Sequence, residues 1–203
     1  EPHFLPWFAA RGHADLAWLL LNGWLETTGD YAGLALLRYY AVYRALVRAK
    51  VAALRATQDP THAPAALAAA QRGLAVARAL TRPLPRVLVA MHGLAGSGKT
   101  TLSQALLEAS GAIRVRADVE RKRLAGLAAE ATSGSGLGGG LYTPEATART
   151  YARLAVLARA VLEAGRPVLV DATFLRRAQR AAFAGLAQEL GVPFAILAFD
   201  APE

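Results

Sequence analysis

A chain of 203 residues holds one ordinary domain, or one domain and part of another, and its 54% hydrophobic content excludes a disordered chain. Cysteine is absent, which excludes disulfides, thiolate metal sites and a cysteine nucleophile and fits a reducing cytoplasm; no apolar run approaches the ~20 residues of a membrane span. The net charge of +8, almost all of it arginine, is spread along the chain and reads as a solvated surface, as a preference for phosphate-bearing ligands, or as nucleic-acid binding.

Residues 1–57 read as helical. Leu16, Leu19, Leu20 and Trp24 recur at helical spacing, and Gly29-Asp30 marks a stop and a restart. From Tyr31 to about Leu54 the pattern is again helical, with Leu36, Tyr40, Tyr43 and Val47 along one face, until Gln58-Asp59-Pro60 breaks it. Residues 58–85 contain a further alanine-rich helix (63–80) and a linker, Thr81-Arg82-Pro83-Leu84-Pro85, which sets a domain boundary near residue 86.

From residue 86 the pattern becomes strand–helix alternation. Val87–Met91 is a continuous apolar run of the kind covered on both faces. Ile113–Ala117, Val168–Val170 and Phe194–Phe199 are the next three strands. Helices end at Gly165-Arg166-Pro167 and Gly191-Val192-Pro193, where glycine caps and proline forbids continuation. Thr143-Pro144-Glu145 opens the first of these helices with an N-cap, a proline and an early acid. Repeated units of this kind predict an α/β fold: a parallel sheet with helices on both faces, preceded by an all-α segment.

Gly93-Leu94-Ala95-Gly96-Ser97-Gly98-Lys99-Thr100 matches G-x-x-x-x-G-K-[ST], the phosphate-binding loop of P-loop NTPases. Its glycines let successive backbone N–H groups, through Thr101, converge on one concavity at a helix N-terminus, where the dipole also favours anions. Lys99 is placed to reach the β- and γ-phosphates of ATP, and Thr100 to set its hydroxyl on Mg²⁺. An apolar strand before the motif and a helix-like segment after it supply the required context.

In an open parallel sheet ligands bind beyond the carboxyl ends of the strands, so the acids there are candidates. Asp171 reads as a Mg²⁺ ligand or as the N-cap of a helix beginning near Phe174. Asp118 reads as a catalytic base for an acceptor hydroxyl or as another N-cap. Arg121, one turn on, reads as a clamp for a substrate phosphate or carboxylate, or as a solvated arginine. Asp200 reads as structural, and Ser133 to Gly140 as a flexible loop or a flap near the acceptor. The four histidines show no metal-ligand spacing, and His92 reads as a packed strand residue.

Several segments carry a resemblance: Thr28–Tyr31, Tyr43–Ala45, Val47–Val51, Gly93–Thr101, Asp118–Leu124 and Val170–Phe174. Together they resemble a bacterial fusion family, the bifunctional aminoglycoside phosphotransferase/ATP-binding proteins. That resemblance implies that residues 1–57 are the helical tail of a phosphotransferase-like domain and that 86–203 is a P-loop kinase-like domain. No His-x-Asp-x-x-x-x-Asn pattern occurs in the helical part. The P-loop part is also similar to polynucleotide kinases and small-molecule kinases, in which an Asp-x-x-Arg after the second strand supplies the base and a phosphate clamp; Asp118 and Arg121 match that spacing. Such kinases continue into an arginine-bearing lid and a fifth strand, so 86–203 reads as truncated before its lid. The expectation is an ATP- and Mg²⁺-dependent kinase acting on a hydroxyl of a small molecule or a polynucleotide end. The alternatives are a non-catalytic ATP-binding module regulating the attached phosphotransferase-like domain, and nucleic-acid binding without chemistry. A GTPase is disfavoured: Asn22 is the sole asparagine, so no Asn-Lys-x-Asp motif exists here.

Overall fold

The computed structural model describes residue 8 and residues 11–94, 99–128 and 142–199. Among the described residues three long helices precede the first strand: α1 (Ala14–Thr28), α2 (Leu34–Gln58) and α3 (Ala63–Thr81). Gly29, at φ 74°, closes α1 by donating its N–H to Leu25 O.

The faces these helices bury differ from the stripes of large apolar residues seen in the sequence. Inward-facing residues are Ala17, Leu21, Asn22 and Leu25 on α1, and Leu34, Leu37, Ala41, Ala45 and Ala49 on α2. Leu36, Tyr40 and Tyr43 stay about half exposed. The reason is interhelical distance. A Cβ added at Gly73 of α3 would meet Ala49 Cβ at 3.0 Å and Ala45 O at 3.3 Å. Backbones this close leave room only for small side chains, so the alanines at 41, 45 and 49 form the seam.

Strand–helix alternation follows as expected. It runs β1 (Leu88–His92), α4 (Lys99–Ser110), β2 (Ile113–Arg116), α5 (Ala117–Leu124), α6 (Pro144–Glu163), β3 (Val168–Asp171), α7 (Arg177–Glu189) and β4 (Phe194–Ala198). Thr143 caps α6 by accepting the Ala146 N–H at 3.1 Å. The sheet is parallel throughout, in the order β2-β3-β1-β4. It is an α/β fold with a parallel sheet flanked by helices, preceded by a helical segment.

Period-2 alternation assigns the two faces of the sheet. Leu88, Ala90, Ile113, Val115, Val168 and Val170 share one cluster with α1, α2, α6 and α7. Leu169, with Val89 against it, joins Leu107 of α4 and Ala112 in a second cluster. Core residues such as Leu21, Leu25, Tyr31, Leu34 and Leu37 belong to the first cluster, so the interior continues across residue 86.

One edge of the sheet is closed by a side chain. On β2, Arg114 N–H donates to Asn22 Oδ1 at 2.7 Å, and Asn22 Nδ2 donates to Ala112 O at 3.1 Å. The Asn22 amide, on α1, thereby stands in for a neighbouring strand at two ladder positions. A buried acid ties the helices together: Glu120 of α5 is fully buried, accepts from Arg153 Nε of α6 at 3.2 Å and pairs with Arg123.

Candidate functional site

The parallel register sets the site. Met91 and Arg116 both lie level with Asp171, from the strands on either side of β3. Three strand ends therefore meet at one edge, about 4.8 Å apart. From them emerge the glycine-rich loop after β1, α5 after β2, and the loop to α7 after β3.

Gly93 leaves β1 with φ 149°, a conformation L side chains rarely adopt, and donates its N–H to Thr173 O at 3.2 Å. Lys99 opens α4, and its Nζ donates to Gly93 O at 2.9 Å and to Leu94 O. Six residues of extended chain would span about 20 Å, far beyond the reach of a lysine side chain, so these contacts place Lys99 close in space to Gly93 and Leu94. Lys99 is only 8% exposed. Thr100 and Thr101 occupy the first turn of α4, Thr101 exposed. Ala95, Gly96, Ser97, Gly98, the Ser133–Gly140 stretch and Asp200 lie outside the described residues.

Asp171 is the last residue of β3 and 9% exposed, with Arg116 Nε at 3.9 Å from its Oδ2. It does not cap a helix, because α7 begins at Arg177 with Arg176 at its N-cap. Asp118 is likewise no cap. It lies inside the first turn of α5, whose N-cap is Arg116, and pairs with Lys122 Nζ through Oδ2 at 2.8 Å. Arg121 is one turn along the same helix. Its guanidinium sits 4.8 Å from the centre of the Tyr142 ring, and its buried Nε has no hydrogen-bond partner among the described residues. His92 is a half-buried strand end, as read, with Nδ1 3.1 Å from Thr173 O.

The loop after β3 holds features that the sequence did not disclose. Phe174 is fully buried and adopts φ 49°, an uncommon conformation for a large L residue. Tyr151 of α6 fixes it, accepting the Phe174 N–H at 2.9 Å, while Arg180 donates to Leu175 O at 3.0 Å. Phe174 and Phe183 meet edge to face at 5.0 Å. This packing holds Thr173, whose carbonyl receives the Gly93 N–H, under the start of the phosphate loop.

The donor set fits a magnesium–nucleotide. Among the described residues no group of three or more His, Asp or Glu side chains is arranged to hold a metal by itself. Mg²⁺ needs no such cage, because it keeps waters and takes one or two protein oxygens beside the phosphates. A carboxylate at the end of β3, on the strand next to the one that leads into Gly93 and Lys99, provides that. A groove of ≈ 600 Å³ between α2 and α3 is lined by Arg11, Arg44, Arg48, Arg55 and Arg72, a local concentration of the positive charge, but it contains none of the loop or strand-end residues.

This sheet order, with a glycine-rich sequence between β1 and a helix that begins with lysine, defines a kinase-like P-loop domain of the nucleotide-binding class. The chain belongs to the AAA_33 family, described as an AAA domain, whose model matches residues 88–203. It is 32% identical over 163 residues to the uncharacterized proteins Rv2004c of Mycobacterium tuberculosis and Mb2027c of Mycobacterium bovis. The matched region is 80% of this chain and 32% of each relative, so the chain spans about a third of their length. A chain of the Pnkp1/Rnl/Hen1 complex aligns with 60% of this chain and 38% of its own, at a TM-score of 0.45 and 21% identity.

Proposed function

We propose that this domain binds ATP with Mg²⁺ and transfers the γ-phosphoryl group to a hydroxyl of a small molecule or of a nucleic-acid end. The observation that carries the reading is the return of the Lys99 ammonium onto the carbonyls of Gly93 and Leu94, just past the end of the strand that neighbours Asp171. Bound magnesium–nucleotide supplies the electrophilic phosphorus and neutralises its charge. The loop from Gly93 to Thr101 contributes backbone N–H donors to the phosphates, and Lys99 contributes a positive charge whose attraction strengthens as the transferring oxygens gain density. Thr100 and Asp171 hold the metal. Asp118 accepts the proton of the attacking hydroxyl, and Arg121 binds an anionic group of the acceptor. Catalysis on this scheme is mostly positioning and electrostatics.

In the same reading the helical residues 1–57 are the tail of a phosphotransferase-like domain, 58–85 a helix and linker, and the whole works in the cytoplasm. Among the described residues no helix is long and apolar enough to cross a membrane. A second reading, an ATP-binding module that regulates such a domain without chemistry of its own, is favoured by one observation: α1 and the sheet share a core, so a change at the strand ends reaches the helices directly.

The test is Lys99→Ala in the full-length gene product, assayed with labelled ATP against a panel of hydroxyl acceptors. Loss of transfer by a factor of at least ~10² is expected. Unchanged turnover rejects the assignment, and tight ATP binding without transfer to any acceptor selects the regulatory reading.

A further inference from the structure

Arg116 has no part in the scheme above, yet its guanidinium stands between two carboxylates from different parts of the chain. Nε is 3.9 Å from Asp171 Oδ2 on β3, and Nη1 is 3.3 Å from Glu26 Oε2 on α1. Glu26 is itself held in place. Arg114 reaches its Oε1 with Nε at 3.0 Å and Nη2 at 2.9 Å, and the same arginine donates through Nη1 to Ser103 Oγ of α4 at 2.9 Å. The Glu26 side chain is 15% exposed, so solvent screens these contacts only in part.

An arginine and a divalent cation compete for the same carboxylate lone pairs. The Arg116–Asp171 separation is about 1 Å longer than a charge-assisted hydrogen bond, so a small shift of the guanidinium would close it. Glu26 is the nearer partner and opposes that shift.

We propose that Glu26 is a positioning residue for metal binding: by holding Arg116 it limits the arginine's grip on Asp171 Oδ2, and so sets how readily a divalent cation joins the nucleotide there. The inference rests on reading Asp171 as a magnesium ligand. It makes the helical segment a contributor to the metal site although none of its residues touches the metal.

The experiment measures ATP binding to the intact protein by calorimetry, first in EDTA and then across a MgCl₂ titration. Glu26→Gln should raise the Mg²⁺ concentration for half-maximal effect roughly fivefold, the factor expected for a partly exposed ion pair. Arg116→Gln should lower it. Adding Glu26→Gln to Arg116→Gln should then change nothing further, and ATP binding in EDTA should not weaken in any of the three. A merely structural Glu26 would instead weaken ATP binding in EDTA and would add its effect to that of Arg116→Gln. That pattern, or an Mg²⁺ requirement equal in all variants, overturns the proposal. Should Glu26→Gln fail to fold, Arg116→Gln alone decides, and an unchanged or raised Mg²⁺ requirement rejects it. A wild-type protein that binds ATP with no response to Mg²⁺ removes the Asp171 reading as well, and one that binds no ATP removes the nucleotide site itself.

Discussion

Tyr31 is 2% exposed, and its phenol is pushed well above its usual range, first by burial and then by the charges of Glu120 and Glu26. Its hydroxyl lies 3.5 Å from Arg114 O. Only the neutral form suits this setting. The folded-state value lies above the unfolded one, so this contribution to stability is complete below about pH 10 and is lost as pH rises through the folded-state value. Urea denaturation from about pH 8 to about pH 11 should show wild type losing stability at the alkaline end, and Tyr31→Phe losing less of it. A variant as steep as wild type would place the alkaline loss elsewhere. At this scale the sequence disclosed what is local. Lys99, Thr100 and the glycines share one short motif, and Asp118 and Arg121 share one helical turn. Arg116 escaped notice because its partner Glu26 is 90 residues away, and no local spacing records such a pair.

Helices and strands were legible where a period was clean. The four strands appear within a residue or two of their expected bounds, and Asp171 belongs to β3 itself. The face of α2 turned to α3 was not legible, because large apolar residues mark a face only when the interhelical gap is wide enough to hold them; on α1 the buried Leu21 and Leu25 stand among leucines and a tryptophan that stay exposed. Asn22 is the sharpest case. In the sequence it served only to disfavour a guanine motif, though a lone amide inside an apolar helical run was the available signal for a buried polar contact. Asn22→Ala would leave the Arg114 N–H and the Ala112 carbonyl without their partner at the edge of β2. The loss should be about 2–4 kcal/mol by chemical denaturation, with faster hydrogen exchange at the Arg114 amide. Unchanged exchange there would show that the edge does not depend on α1.

For the whole molecule, the composition break near residue 86 is not a break in packing. Trp18 of α1 carries the Arg166 guanidinium 4.6 Å from its ring centre, and a Cβ on Gly111 would meet its Cε2 at 2.8 Å. The three tryptophans, at 7, 18 and 24, all precede the sheet in the chain. Fluorescence therefore reports from α1, through Trp24 and through the contact of Trp18 with Gly111 and Arg166, and far-UV circular dichroism from the entire fold. The two denaturation curves should coincide, as one cooperative unit requires. Two separated transitions would show that helices and sheet unfold independently, which sequence composition alone would suggest.

The strand order also governs when the sheet can assemble. β3 lies between β1 and β2 although the ribosome delivers it after both, so neither earlier strand meets its parallel neighbour until about residue 171 has emerged. In the interval β1, an apolar segment, has no ladder, the condition under which chains aggregate, while β2 alternates its two apolar residues with Arg114 and Arg116. Among the described residues β2 has a hydrogen-bonding companion already synthesised, the amide on α1. α1 is thus in place to satisfy the edge of β2 before the strand that separates it from β1 has been made.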